Sequence, residues 1–258
     1  DDQSWPPSPD SARIAQLQHQ GKNPDGDITS LTYDGMTNML MAVEFQENPS
    51  QMIKIWEINA QGQQPMVQNV YSMIAGPTGG GFSAFAVNKF TNPPMYLGAN
   101  EEKIGQFDLG SGMHIGNIPL QDGGQEFDGN IVGLAIVPNS TNPNDPGQAQ
   151  MVIVTDDSEA ANPSPYVYMS GLAQGGSAAS NIPKAIAQHG GLNAFVLIEP
   201  DTIHYVATTG LNAGTSLGSF PTPNNASVNV ESLAYLSNTL FAIDNSNPAR
   251  KLYKNTVT

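Results

Sequence analysis

One short strand-like pattern recurs five times along this chain, and it limits the fold more than any other feature. Each copy has six residues, of which the third is small and the fourth is large and apolar. A small residue at one fixed place in a strand indicates a crowded position where several strands approach each other. The copies are Ile28–Tyr33, Phe82–Val87, Ile131–Ile136, Leu192–Leu197 and Val230–Tyr235. We expect the large fourth residues, Leu31, Phe85, Leu134, Phe195 and Leu233, to be buried.

Each copy is followed by a second apolar run and, in most cases, by a third and a fourth. The runs are short, rich in β-branched and aromatic residues, and separated by Gly, Pro, Asn and Asp, as β-strands and their turns are. Three to four strands in each period of about 40 to 50 residues is typical of a β-propeller. The alternative is a β-sandwich with irregular hairpins. We therefore predict an all-β fold, a single β-propeller, with five blades.

The two ends of the chain are predicted to meet in one blade. The last copy supplies only three strands, which end near Lys254, whereas residues 13–20 alternate apolar and polar as a half-buried strand does. We expect this N-terminal strand to complete the last blade, which removes an open sheet edge. Residues 1–11 are then an extended proline-rich arm, and residues 12–258 are the propeller domain. The segment 181–189 is predicted to be either a short helix or the outer strand of blade three.

Composition excludes several classes of function. Nine Lys and Arg against 23 Asp and Glu give a net charge of −14, and only two residues are arginine, so we expect no nucleic-acid partner. No apolar run is long enough for a membrane-spanning helix, and the absence of Cys removes thiolate chemistry and disulfides. Scarce lysine and an amide-rich composition favour a secreted, periplasmic or cell-surface protein. Sequons occur at Asn139 and Asn225, and their glycosylation is open.

Propeller geometry predicts where polar residues gather. In each blade the start of the first strand and the end of the second lie at the same end of the sheet. The polar residues at these places are predicted to form a ligand-binding set, namely Glu44, Asn100, Asp156, Asn193, Glu231 and Asp244. Oxygen ligands of this kind suit Ca²⁺ or another hard divalent cation. The alternative is that Asp and Asn end these strands only as turn residues.

The chain resembles the propeller superfamily that includes the SMP30/gluconolactonase and NHL-repeat proteins. The resemblance rests on the repeated first strand and on second strands that end in acidic or amide residues, as at Asp244 and Asn245. In SMP30-like lactonases a Glu, an Asn and an Asp hold the metal on this face. The resemblance implies metal ligands among Glu231, Asp244 and Asp156, with Asn193 and Asn100 as the amide positions. Five copies depart from the six blades usual in those families.

Other motifs are incomplete. Residues 23–34 resemble an EF-hand loop but carry Ile28 where that loop requires glycine. Gly214–Gly218 has the spacing of a nucleophile elbow, yet no histidine follows His204. The glycines at 76–81 lack the Lys of a phosphate-binding loop, and the histidines lack metal-binding spacing. No nucleotide, haem or zinc is expected.

Two functional hypotheses follow. The first is a non-catalytic binding or assembly module, secreted or surface-located, that holds a glycan or a protein or assembles through its N-terminal arm. The second is a divalent-metal-dependent hydrolase or lactonase. In it the cation would be held by the acidic residues of the ligand-binding set, at one mouth of the propeller channel, and would polarise a carbonyl. Whether the chain is an enzyme is open, and the absence of a complete catalytic set favours the first hypothesis.

Overall fold

The computed structural model of this protein is built from β-strands. It describes residues 13–16, 20–22, 24–34, 37–46, 52–60, 66–73, 81–88, 93–100, 103–118, 121–122, 125–126, 130–137, 150–156, 166–169, 172–174, 183–189, 193–198, 202–207, 216–221, 230–236, 239–245 and 251–256. These ranges contain strands and turns but no helix. Within them there is accordingly no helix that could cross a membrane. Residues 1–11 and both sequons lie outside the described residues.

Twenty-two strands occur within the described ranges. In chain order they are β1 (Arg13–Gln16), β2 (Asp27–Asp34), β3 (Met39–Gln46), β4 (Met52–Asn59), β5 (Met66–Met73), β6 (Ala84–Asn88), β7 (Met95–Asn100), β8 (Lys103–Asp108), β9 (Met113–Ile118), β10 (Gln121–Asp122), β11 (Gln125–Glu126), β12 (Asn130–Val137), β13 (Gln150–Asp156), β14 (Tyr166–Met169), β15 (Leu172–Gln174), β16 (Pro183–His189), β17 (Asn193–Ile198), β18 (Thr202–Ala207), β19 (Ser216–Pro221), β20 (Val230–Leu236), β21 (Thr239–Asp244) and β22 (Lys251–Thr256).

The strands form five four-stranded antiparallel sheets in the described part of the chain, besides the small hairpin β10–β11. The first to fourth sheets are β2–β5, β6–β9, β12–β15 and β16–β19, each in sequence order. The fifth sheet has the order β20, β21, β22, β1. The strands β2, β6, β12, β16 and β20 contact one another in that order, and β20 contacts β2. Antiparallel four-stranded sheets whose first strands contact one another in sequence are typical of a β-propeller. The predicted all-β, propeller-like architecture is confirmed.

The core lies between neighbouring sheets. Four of the five large residues of the repeat, Leu31, Phe85, Leu134 and Leu233, are buried as predicted. The side chain of the fifth, Phe195, lies outside the described part. Between the first and second sheets the core is aromatic, with Phe82 and Phe107 rings 4.8 Å apart. Trp56 and Phe241 belong to the cluster between the first and fifth sheets.

A β-bulge explains the small third residue of the repeat. The pairing with the second strand shifts between Ile28 and Ser30 in β2, and at the matching places in β12, β16 and β20. The residue after the bulge then faces the neighbouring first strand at close range. Ser30 Oγ accepts a hydrogen bond of 2.9 Å from the backbone N–H of Phe85 in the next sheet. A larger side chain at this position would separate the two strands.

The fourth copy of the pattern takes a different place from the one predicted. Residues 192–197 were expected to be the first strand of the fourth blade, but β17 is the second strand of its sheet. The first strand is β16, which lies within the segment 181–189, for which the sequence is compatible with a helix or an outer strand. Its bulge between Pro183 and Ala185 matches those of the other first strands. First strands then begin at residues 27, 84, 130, 183 and 230, which is a more even spacing.

We expect Phe85→Ala to lower the free energy of unfolding by about 3–5 kcal/mol, because it opens a cavity between two sheets. Phe85 is 1% exposed and its ring stacks on Phe82. Met66→Ala is the control, because Met66 is 63% exposed and its truncation should change stability by less than about 0.5 kcal/mol. Chemical denaturation measures both. Equal effects of the two substitutions would contradict the packing described here.

Candidate functional site

The polar residues predicted to bind a ligand belong to one end of the sheets, with one exception. We call this end the strand-end face, and it contains Glu44, Asn100, Asp156, Glu231 and Asp244. In the register of their sheets Glu44 lies opposite Ile28, Asp244 opposite Val230 and Asp156 opposite Asn130, so each second strand ends beside the start of a first strand.

Asn193 is the exception. It begins β17 and pairs with His189, the last residue of β16. The matching strand start in the fourth sheet is Pro183, which pairs with Ile198. Asn193 therefore lies at the opposite end of its sheet from the strand-end face, because the fourth copy of the pattern is a second strand. The structure does not bring it together with the other five residues.

Glu44 is a buried carboxylate surrounded by internal donors. Its side chain is 0% exposed, and Oε1 accepts hydrogen bonds of 2.8 Å from the backbone N–H groups of Asp25 and Gly26. Trp56 Nε1 donates to Oε2 at 2.7 Å, and Lys54 Nζ lies 3.4 Å from Oε1. The carboxylate thus holds the turn before β2 against β4, and the hydrogen-bond donors compensate its burial.

The turn that Glu44 holds requires glycine. A Cβ atom added to Gly26 would lie 2.0 Å from the carbonyl oxygen of Phe45, which is backbone and cannot move aside easily. The close approach of these two backbone segments is what allows the Gly26 N–H to reach Glu44. This role is not visible in the sequence, because the donors are separated from Glu44 by 18 and 19 residues.

Asn245 connects the fifth sheet to the first. It follows Asp244, and its side-chain amide bonds both backbone groups of Ile28: Nδ2 donates to the carbonyl oxygen at 2.8 Å, and Oδ1 accepts from the N–H at 3.2 Å. The amide reproduces the hydrogen bonds that a neighbouring strand would supply. In the sequence Asn245 stands out only as the neighbour of Asp244, because its two contacts join residues 217 positions apart.

The remaining residues of the strand-end face are described less completely. Asn100 ends β7 opposite Lys103 and is half-buried, and Asp244 is buried. Glu231 occupies the bulge of β20, between Val230 and Ser232. The side chains of Asp156, Asn193 and Glu231 lie outside the described part. Bulges reorient side chains and are frequent beside functional sites.

Two buried hydroxyl oxygens at this end have no hydrogen-bond partner within the described residues. They are Thr29 Oγ1, at the bulge of β2, and Ser232 Oγ, just after the bulge of β20. Such oxygens suit ordered water or a hard cation. Among the side chains that the structure describes, no three His, Asp or Glu are grouped closely enough to hold a metal ion. The hypothesis of a calcium site at Glu231, Asp244 and Asp156 therefore stays a prediction.

Removal of the Glu44 charge is expected to destabilise the protein. Glu44→Gln replaces a charged acceptor by a neutral amide and places an NH₂ group among donors, so we expect a loss of about 2–3 kcal/mol in the free energy of unfolding. Asp25→Asn is the control, since Asp25 is exposed and its pair with Lys54 is a surface ion pair. Urea denaturation compares them, and similar small effects of both would contradict the role given to Glu44.

The calcium hypothesis predicts a ligand-dependent stability. Millimolar Ca²⁺ should raise the melting temperature by mass action, and Glu231→Gln or Asp244→Asn should remove the increase. Asp108→Asn is the control, because Asp108 is exposed on a turn and bonded to Ser111. Calorimetry in calcium and in EDTA at fixed ionic strength measures the effect. Identical wild-type melting curves in both buffers would remove the hypothesis.

Comparison with known proteins supplies a likeness of fold. Neither a family model nor a curated protein sequence matches the chain. Among solved structures it is similar to the β-propeller domain of Cps50 (Swd1) from Myceliophteria thermophila, with 12% sequence identity and a TM-score of 0.45. The aligned region covers 89% of this chain and 64% of the chain of that domain. We draw no conclusion about ligand or activity from it.

Proposed function

We propose that this chain is a five-bladed β-propeller, closed by β1, that acts as a non-catalytic module for protein binding or assembly outside the cytoplasm. The order β20–β21–β22–β1 and the pairing of Ala15 with Leu252 support the closure. The contacts of Asn245, which directly follows β21, with Ile28 of β2 join the fifth sheet to the first and support a closed ring of sheets.

The observation that carries the proposed function is the apolar edge of β9. Met113 and Ile115 are 64% and 65% exposed on the outer strand of the second sheet. An outer strand presents unpaired backbone N–H and C=O groups, and exposed apolar side chains beside them favour the addition of a strand from another chain. Met66 and Leu217, on β5 and β19, are also exposed, so outer strands of three sheets share this property.

Sedimentation velocity over a wide range of protein concentration tests assembly at β9. We expect the wild-type chain to associate with rising concentration, and Met113→Lys with Ile115→Lys to remove the association, because charges on an edge strand oppose pairing. Leu217→Lys is the control on another outer strand. A wild-type chain that stays monomeric, or a double variant that associates equally, would contradict assembly through this edge.

Deletion variants test the closure. A variant without residues 1–16 loses β1 and leaves β22 as an open edge, so its melting temperature should fall and its aggregation rise. A variant without residues 1–11 keeps β1 and should melt like the full chain. Equal melting of the two variants would contradict closure by the N-terminal strand.

A divalent-metal-dependent hydrolase or lactonase is the second candidate. The position of Glu231 at a bulge, beside the unpartnered Ser232 hydroxyl, favours it. In that function the cation would be held at the strand-end face by Glu231, Asp244 and Asp156, and it would polarise the substrate carbonyl. The comparison of melting temperatures in calcium and in EDTA tests whether the metal that this function requires is bound.

A further inference from the structure

A second cluster, of polar and aromatic residues, lies between the first and second sheets, away from the strand-end face. We call it the tyrosine cleft, and it consists of Glu57, Asn69, Tyr71, Tyr96 and Phe107. Side chains alternate along a strand, so Ile53, Ile55 and Glu57 of β4 share one face, and the two isoleucines pack in the core between these two sheets. Tyr71 and Tyr96 pack against the same core from β5 and β7.

Glu57 differs from Glu44 in how its charge is compensated. Its side chain is buried, with the residue 7% exposed, and Oε2 accepts hydrogen bonds from Asn69 Nδ2 at 2.9 Å and from the Tyr71 hydroxyl at 3.3 Å. Both donors are neutral. The ion pairs found in the described part of the chain both belong to Lys54, which faces the other side of the sheet with Glu44. Glu57 is thus a buried anion without a cationic partner among the described residues, an arrangement that costs free energy.

Two tyrosines lie close to Glu57. The Tyr71 hydroxyl donates to Glu57 Oε2, and Tyr96 is near enough for the charge of Glu57 to raise the pKa of its hydroxyl. One face of the Tyr96 ring stacks on Phe85, with centroids 6.3 Å apart. Burial, together with the nearby charges of Asp34, Glu57 and Asp108, raises the pKa of Tyr96 to about 12, so Tyr96 remains a neutral phenol. Aromatic faces beside a carboxylate attract ammonium and guanidinium groups.

We propose that the tyrosine cleft binds an arginine or lysine side chain of a protein partner, with Glu57 as the counter-charge and Tyr71 and Tyr96 as its aromatic walls. The net charge of −14 on this chain is complementary to a basic partner. The inference rests on the proposed function and adds the chemistry of the partner. It is also continuous with the β9 edge, because β9 is the outer strand of the sheet that forms one wall of the cleft.

Calorimetric titration with a defined peptide tests the proposal. The probe is a peptide of alternating glycine and arginine, and the matched control is the same peptide with citrulline, a neutral isostere of arginine. The arginine peptide should bind to the wild-type protein and the citrulline peptide should not. Glu57→Gln should weaken binding by about tenfold or more, because it removes the counter-charge in a buried site.

Asp25→Asn is the control variant, since it removes one exposed carboxylate from the opposite end of the same sheet and should bind as the wild type does. Equal weakening by Asp25→Asn and Glu57→Gln would show attraction by net charge alone and would overturn the site. Equal binding of the citrulline peptide, or no binding of the arginine peptide, would also overturn it.

Two further measurements keep the test decisive. Glu57→Gln should melt no lower than the wild type, because Gln keeps an acceptor for Asn69 and removes an uncompensated buried charge. A marked loss of stability would show that an internal cation already neutralises Glu57, which overturns the proposal.

Tyr96→Leu keeps an apolar side chain but removes the aromatic face. It should weaken peptide binding without changing association through Met113 and Ile115. Peptide binding that survives the edge variant would support the cleft even if assembly at β9 fails.

Discussion

The close approach of first strands in neighbouring sheets is the contact on which the rest of this structure depends. Each first strand must lie near two others, and a side chain larger than serine or alanine between them would force the sheets apart. At the first interface this closeness is visible as the hydrogen bond from the Phe85 N–H to Ser30 Oγ. The second interface has its own version, in which the Ser83 hydroxyl donates to the carbonyl oxygen of Ile131. Ser30 follows the bulge of β2, whereas Ser83 directly precedes β6. The strands β12, β16 and β20 have bulges at the place that matches the one in β2.

Two buried glutamates of the first sheet show how alternation along strands separates roles. Glu44 faces the fifth sheet and is compensated by backbone N–H groups, Trp56 and Lys54. Glu57 faces the second sheet, and its donors among the residues that the structure describes are the neutral groups of Asn69 and Tyr71. A carboxylate with a complete set of donors is part of the scaffold, whereas a carboxylate that lacks a cation can gain one from a ligand. The two residues lie on adjacent strands, but on opposite faces and towards opposite ends of the sheet.

The repeat predicted the class of fold and the burial of Leu31, Phe85, Leu134 and Leu233. It misplaced the fourth blade because Leu192–Leu197 has the same small and large residues as a first strand. The first strand in the structure is β16, which begins with Pro183. A proline is unusual in a β-strand, so this segment does not resemble the repeat. One misplaced strand moved Asn193 to the wrong end of its sheet, since neighbouring strands run in opposite directions. Of the predicted site, Glu44 was found at the expected strand end, but its donors at Asp25, Gly26 and Trp56 could not be foreseen.

The sequence by itself determined the strands, because hydrophobic alternation and turn residues are local properties that a reader can follow along the chain. It also determined that small residues would mark the crowded inner strands. Only the tertiary structure decided which polar groups meet. The amide of Asn245 reaches Ile28 across 217 residues, and the Tyr71 and Tyr96 rings come from different sheets. Such contacts depend on the distance and angle between sheets, and those are set by packing in the core rather than by any local pattern.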